Sequence, residues 1–576
     1  MEKTIFYTAV RILLIFILSI SSIAFSQNTS AKLTQAPFHQ GVNMTIWFES
    51  WSKGTCNLNY YDKTDLENVK ALGADVIRLP IHFDNLSSGS PDYIIDSLTW
   101  KHLDQVVDWC EELQLYLIID NHSFNGVDKY PNSKVIANEL VKIWPQIAER
   151  YKGRSNYILF EILNEPNEID SEKWNKIQGD TLKLIRTYDT KHTVVVTGAE
   201  WGGAEGLRKV RVYDDPNLIY TFHFYSPYVF THQGASWAGK EESLLSSVPF
   251  PYDKSRMPAL PKELQGTEIE SELKTDYPVN STINVLRSEL QIAYDFSKKN
   301  NVPVWCGEMG AYYQSSLHED RVRWYETTAY LLQQYNIPFT VWGLGGGFGL
   351  YKKNSDEQFP YDLDTDILSA LKFSIPKNAG TNKSESTDLS NQPIIIYDDI
   401  ISKGIRASDW GNEKDTKELL WECTDSPASG NYCIRWGNCD RYTALNFNLR
   451  LANYLNFCDK ANTYISLKIR TTSRNHFDIR LVDSETENAK PWRLSYTLTS
   501  KDYIADGNWH TIFIPLSAMK ETGAWSSVEN KWYNSENKFD WSSISTLQFT
   551  SEHSVINGDM YIDDIKFIST SSSAKN

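Results

Sequence analysis

The sequence predicts a (β/α)8 TIM barrel followed by a C-terminal β-sandwich of jelly-roll type. Between about residues 41 and 373, eight short apolar runs alternate with amphipathic helical patterns. Polar and charged residues gather at one end of those runs. After Phe373 the pattern changes to short alternating strands with turn signals and little helix.

The strands are expected at 41–46, 76–81, 115–120, 157–163, 193–197, 219–224, 302–307 and 339–343. Helical patterns between them cover 64–72, 100–113, 138–151, 174–188, 282–299 and 319–335. An open doubly wound sheet is the rival, but it calls for a glycine-rich phosphate loop after an early strand, and the sequence has none. The connection after the sixth strand, 226–281, is unusually long. Its first part, with Trp237, is expected to wall a cleft, and its later part to form a mobile cover.

Before the barrel, Lys3 and Arg11 precede an apolar stretch, 12–25, that ends Ala24-Phe-Ser26. This is the pattern of a signal peptide over 1–26, and a secreted protein is expected, extracellular, periplasmic or at the cell surface. The run is short for a membrane span, and no cysteine follows the cut to carry a lipid. The barrel is assigned to 39–373, a polar linker to 374–392 and the sandwich, as an independent module, to 393–570.

Charge and composition narrow the partners. A net charge of −16 opposes nucleic acid and anionic membranes, whereas a neutral polysaccharide is compatible. With 19 Trp, 32 Tyr and 24 Phe the chain has many flat faces suited to sugar rings, although core packing accounts for much of such a content. Seven cysteines fall as Cys56, Cys110 and Cys306 in the first part and Cys423, Cys433, Cys439 and Cys458 in the last. In a secreted protein the last four allow two disulfides in three pairings, and no spacing makes a zinc site. A monomer is expected.

Glu165 and Glu308 carry the chemistry. Each closes an apolar run, Tyr157-Ile-Leu-Phe-Glu-Ile-Leu-Asn-Glu165 and Val302-Pro-Val-Trp-Cys-Gly-Glu308. A carboxylate there is costly unless it is paired or has a task. Two of them facing across a barrel mouth suit retaining glycoside hydrolysis, in which the carboxyls sit roughly 5–5.5 Å apart. Arg78, His122, Asn164, Trp201, His223, Tyr225 and Trp342 are expected at the same C-terminal ends of the strands. Strand alternation puts Glu161 on the face of Glu165, deeper, as a supporting group paired with a cation. Asn164 and Glu165 are neighbours, so both reaching the site needs a bulge.

These motifs, Ile77-Arg-Leu-Pro80, Asn121-His122, Asn164-Glu-Pro166, His223-Phe-Tyr225, Gly307-Glu308 and Trp342, resemble glycoside hydrolase family 5, the cellulase family, in order. Segments around Trp201, Trp237 and 346–351 look most like its bacterial endoglucanases. The resemblance implies Glu165 as acid/base, Glu308 as nucleophile and Asn164 on the sugar 2-hydroxyl. It implies Arg78 and Tyr225 holding Glu308, with His122, His223 and Trp342 lining the sugar beside the scissile bond. Trp201 and Trp237 are further substrate contacts. Two positions depart from many relatives: Ser123 stands where a second His is common, and Gly343-Leu344 follow the platform Trp.

The C-terminal domain resembles jelly-roll carbohydrate-binding modules through Trp509-His-Thr-Ile-Phe-Ile-Pro-Leu516 and Tyr561-Ile-Asp-Asp-Ile565. Trp410, Trp421, Trp436, Trp492, Trp525, Trp532 and Trp541 are its candidate platforms. Asp399 and Asp564 are candidate ligands for a structural calcium, plain surface turns being an equal alternative. The expectation is a secreted endo-β-1,4-glucanase needing no cofactor for catalysis. The alternatives are a β-mannanase or dual enzyme, and a non-catalytic polysaccharide-binding protein.

Overall fold

The computed structural model describes residues 32–51, 55–123, 133–381, 393–410, 419–449, 462–484, 490–526 and 529–569. The expected signal peptide, residues 382–392 of the expected linker and Cys458 lie outside them.

Eight parallel strands close into a barrel: β1 (Gln40–Asn43), β2 (Val76–Ile81), β3 (Tyr116–Asn121), β4 (Ile158–Glu161), β5 (Thr193–Thr197), β6 (Leu218–Phe224), β7 (Val304–Met309) and β8 (Phe339–Val341), with β1 pairing both β2 and β8. The second and fifth strands match expectation at both ends. The fourth stops at Glu161, two residues early, because Ile162 and Leu163 continue the apolar run past the last ladder pair while remaining buried. The surrounding helices include Lys63–Ala71, Ser97–Leu113, Ser133–Tyr151, Ser171–Tyr188, Ile283–Asn300 and His318–Gln334. Local capping starts several of them: the Asp170 carboxylate accepts the N–H groups of Glu172 and Lys173, a cap worth about 0.5–2 kcal/mol. Among the described residues no helix is long and apolar enough to cross a membrane.

Alternation along the strands builds the barrel interior in layers. Val76, Ile118, Leu159, Val195, Ile219 and Trp305 form an apolar floor with Phe38. Two residues further along the same strands come Arg78, Asp120, Glu161, Thr197, Thr221 and Gly307. A polar layer therefore rests on an apolar one. Arg78 belongs to this layer in the middle of β2, fully buried, and not to a strand end as expected.

The 226–281 connection is a folded excursion rather than a loose cover. It holds short helices at Tyr228–Thr231, Glu268–Thr275 and Tyr277–Asn280. Phe230, Val248, Phe250, Leu264, Leu273 and Tyr277 are buried, and Arg256 pairs with Asp320 of the helix His318–Gln334. Scattered apolar residues without a period concealed this packing from the sequence.

The C-terminal domain is two seven-stranded sheets. One runs Arg406–Trp410, Ala444–Asn448, Ile544–Thr550, Phe477–Asp483, Trp492–Leu498, Lys520–Ser526 and Lys531–Tyr533 in spatial order. The other contains Ile394–Asp398, Ile556–Ser569, Cys433–Cys439 and Leu420–Cys423 in sequence across the sheet, with Thr463–Thr471 and His510–Pro515 at its side. Trp421, Trp436 and Trp492 are buried in this domain, so they are core and not platforms; Trp525 and Trp532 are exposed. The Trp410 side chain lies outside the description.

The sandwich is docked on the barrel. Cys56 and Ala407 exchange both backbone hydrogen bonds, 2.7 and 3.1 Å. Lys403 reaches Asp62 and Asp65 at 3.0 and 2.8 Å, while Glu422 accepts from Lys101 and meets His102 Nε2 at 3.1 Å. An independent module was expected from the polar linker; these contacts, between residues more than 300 positions apart, make the two domains neighbours in space.

Candidate active site

Arg78 organises the barrel mouth. Its Nε and Nη2 donate to both oxygens of Glu161, at 2.7 and 3.0 Å. Its Nη1 donates to Asn43 Oδ1 (3.0 Å) and Glu308 Oε1 (2.6 Å), and Nη2 also to Asn164 Oδ1 (2.7 Å). Asp120 lies 3.0 Å from Nη2. All five N–H donors are used, which fixes the guanidinium plane and everything it holds. Glu161 is thus the cation-paired support that its strand position implied.

Glu308 sits in β7 beside two register irregularities, one against β6 between Phe222 and His223 and one against β8. Such bulges re-aim a strand-end side chain. The Tyr225 hydroxyl donates to Glu308 Oε2 at 2.9 Å, so both carboxylate oxygens have donors. Tyr225 in turn has its phenol pushed well above the usual value by burial and by Glu308.

Glu165 lies in the turn after β4, not within it. Its Oε1 is 2.6 Å from His223 Nδ1. Burial raises its carboxyl to about 7, opposed by the Arg78 charge. His223 is lowered to about 4 and His122 to about 3, each first by burial, so both rings are neutral. His122 Nδ1 meets Asp120 at 2.7 Å and its Nε2 faces the Asn164 amide at 3.3 Å, which assigns the Nδ1–H tautomer by the network. Carboxylate oxygens of Glu165 and Glu308 and a His223 ring nitrogen all lie within 4.8 Å of one another.

Aromatic rings line the opening. Trp342 stacks on His122, centroids 5.5 Å apart and planes at 15°. Its turn needs glycine next: Gly343 has φ +102°, and a Cβ there would meet Gly345 O at 2.5 Å. Trp201 is 46% and Trp237 61% exposed, which leaves both rings open to a ligand. Trp237 stands edge-on to Tyr312, and Tyr228 stacks on His232 beside Tyr225.

The structure thus unites Arg78, His122, Asn164, Glu165, His223, Tyr225, Glu308 and Trp342 in one mouth. It also adds residues that the sequence reading passed over. Glu49, raised to about 7 mainly by burial, accepts from Ile46 N–H and feels the charges of Glu308, Asp120 and Arg78. His82 stacks with His122 at 5.7 Å, and Trp51 stands edge-on to His82 at 4.5 Å. Glu49 and Trp51 lie in the loop after β1 and His82 just after β2; the rule that reads strand ends would have found His82, whereas the loop had no local signal.

Among the described residues, three sets of groups come close enough to hold a metal ion: Glu49/His82/His122, Glu165/His223/Glu308 and His318/Asp364/Asp366. Arg78 pairs with Glu308 of the second set and its charge is felt by Glu49 of the first, and Asp364 already caps its own helix. The expected calcium ligands are otherwise engaged. Asp399 accepts the Asn431 and Tyr432 N–H groups, and Asp564 pairs with Lys566 and Lys468. That donor set suits hydrogen-bonded turns and surface ion pairs.

A closed parallel barrel with two carboxyls of this spacing among sugar-sized aromatic faces has the architecture of a glycoside hydrolase. The model for cellulase, glycosyl hydrolase family 5, matches residues 32–347, just over half of the chain, and the protein belongs to that family. The model for carbohydrate binding domain 30 matches residues 420–569. Endoglucanase C of Acetivibrio thermocellus is 29% identical over 339 residues, covering 56% of this chain and 94% of that relative. Endoglucanase H of the same organism is 25% identical over 551 residues, covering 91% of this chain; the chain spans about half, 52%, of its length. Among solved structures, endoglucanase Cel5A of Thermotoga maritima shows 27% identity and a TM-score of 0.48, covering 58% of this chain and 96% of its own. The chain is thus a hydrolase of an endoglucanase family with a carbohydrate-binding domain.

Proposed function

We propose that the protein is a secreted, retaining endo-β-1,4-glucanase in which Glu308 attacks the anomeric carbon and Glu165 protonates the leaving oxygen. The observation that carries this reading is the pair itself: carboxylate oxygens within 4.8 Å, one held by Arg78 and Tyr225, the other enclosed and raised to about 7. In the first step Glu308 Oε bonds to the sugar carbon as the glycosidic C–O bond breaks, and the Glu165 proton goes to the departing hydroxyl. Water then gives its proton to Glu165 and displaces Glu308. Asn164, held by Arg78, is the candidate hydrogen-bond donor to the 2-hydroxyl. This double displacement uses two carboxyls and water, with no cofactor. The test is the anomer first released from a cello-oligosaccharide, followed by NMR: β supports retention, α overturns it. Rates on carboxymethylcellulose, glucomannan and mannan side by side decide between glucan and the mannan alternative.

The acid must hold its proton until the transition state. Because Glu165 titrates at about 7, kcat/KM should fall as pH rises through about 7, and a profile flat from pH 6 to 8 would overturn its role.

The edge of the sheet that begins with Arg406–Trp410 supports polymer binding by the sandwich. Asn446, Gln548, Arg480 and Ser495 are successive cross-strand partners, with Gln548 Nε2 donating to Asn446 Oδ1 at 2.9 Å. Their strand neighbours Leu445, Leu547, Ile479 and Leu494 are core, so this polar row lies on the face away from the core, where Arg480 and Ser495 are themselves buried and Asn446 and Gln548 half-buried. At the far edge Trp525 and Trp532 are directly paired and both exposed, and Arg493 lies over the Trp532 ring at 5.4 Å. Replacing both tryptophans by alanine should weaken retention on insoluble glucan roughly tenfold in a pull-down. Unchanged retention would return the sandwich to a packing role.

A further inference from the structure

We propose that Cys423 and Cys433 are joined by a disulfide in the exported protein, and that this bond secures the strand by which the sandwich docks on the barrel. The compartment rests on the secretion reading; the pairing rests on register alone.

Three pairings were open among the late cysteines, and the sheet discriminates between them. Cys423 lies directly opposite Cys433 on antiparallel strands, whereas Cys439 lies opposite Ile556. Directly opposite residues have Cα atoms about 4.5–5.5 Å apart. A disulfide spans about 4.4–6.8 Å, so directly opposite cysteines fall within its reach, although the two thiols are unbonded in this structure. Both thiols are buried in a small cluster with Tyr561, packed against Trp509 and separate from the main core. Cys433 Sγ lies 3.6 Å from the Cys423 carbonyl oxygen. Burial, and then the adjacent Cys423 thiol, push the Cys433 thiol up to about 12. Thiolate is therefore scarce once the domain is folded, and bond formation belongs to folding, when both sulfurs meet an external disulfide.

The oxidant is a disulfide of the glutathione or dithiol-oxidase class. One cysteine thiolate attacks it, forming a mixed disulfide and releasing one reduced thiol. The second cysteine attacks the protein-side sulfur and releases the other. Two thiol protons are lost and two electrons reduce the oxidant to two thiols.

Position gives the bond its consequence. Leu420–Cys423 is the last strand in its sheet order, with a register irregularity between Leu420 and Cys423. Next to Cys423, Glu422 receives Lys101 and His102 from the barrel helix Ser97–Leu113. A short edge strand bears a cross-domain ion cluster, and a cross-link behind it holds that cluster in register.

The full-length chain is refolded in a glutathione redox buffer, its free thiols are alkylated, and the unreduced digest is read by mass spectrometry. The expected result is one linked peptide pair joining Cys423 to Cys433, two hydrogens lighter than the separate peptides. Alkylated Cys423 and Cys433, or either one linked to Cys439 or Cys458, overturns the pairing. Reduction should lower the unfolding temperature by roughly 5–10 °C in the wild type and not in C423S/C433S; an equal drop in both overturns the securing role. The same digest on protein recovered from cells separates the premises. A link formed in the buffer but absent from the cellular protein overturns export, whereas no link in the buffer overturns the pairing itself.

Discussion

Glu308→Gln should reduce hydrolysis of a natural β-glucan by on the order of 10⁴-fold or more while leaving the unfolding curve nearly unchanged. The amide oxygen still accepts from Arg78 Nη1 or from Tyr225, so the mouth keeps its shape and loses the proposed nucleophile. Glu165→Gln should cost a similar factor on a natural glucan, because an alkoxide-like leaving group needs its proton. On an aryl glycoside with a good leaving group, Glu165→Gln should lose much less in the first step. External azide separates the roles further. With Glu308→Ala it should attack from the vacated face and give the inverted glycosyl azide; with Glu165→Ala it should intercept the covalent intermediate and give the retained one. Initial rates, product anomers by NMR and circular-dichroism melts provide the readouts. Turnover at wild-type level in either glutamine variant would falsify the assignment.

Arg78→Met should be the most damaging single change to the barrel's stability. One guanidinium is the shared ion-pair partner of the buried Asp120, Glu161 and Glu308, and its removal leaves those carboxyls uncompensated at a cost of about 3–5 kcal/mol. The loss should depend on pH in a stated direction. Burial already raises Asp120 and Glu161, and without the cation they rise further. A carboxyl whose folded pKa exceeds its unfolded value favours the folded state at low pH, and that advantage is lost as pH rises through the folded pKa. Urea unfolding should therefore show a smaller difference between variant and wild type at pH 5 than at pH 8. A difference independent of pH would mean that Arg78 acts by packing rather than charge. Arg78→Lys keeps the charge but not the fork that holds Glu161, Asn43, Asn164 and Glu308 together, so its stability should partly recover while its activity does not.

The barrel was legible because each strand carries its own signal, an apolar run bounded by turns, and each helix its own period. The site was legible at Glu165, Glu308 and their motif neighbours, since a charge closing an apolar run is conspicuous. Depth was harder to read. Arg78 looked like a strand-end group although the Val76/Arg78 alternation already placed it one layer above the floor. Glu49 and Trp51 escaped notice because a loop gives no periodicity against which a carboxyl or a ring stands out. The sandwich tryptophans could not be sorted into core and surface from composition; only the alternation that buries Trp421 and Trp436, and the cross-strand pairing of Trp525 with Trp532, separates them. Contacts between domains, such as Cys56 with Ala407, are set by neither segment alone.

That two-way backbone bridge, with Lys403 and Glu422 beside it, changes how the enzyme can meet a fibre. A binding domain on a free tether sweeps a volume, and the local concentration it confers falls as the tether lengthens. Here distance and angle between the gripping face and the cutting mouth are set by a shared surface, so inserting residues into 374–392 should leave action on solid substrate unaltered. Cutting sites along an immobilised chain would then be spaced by the dimensions of a single rigid body and not by the reach of a string.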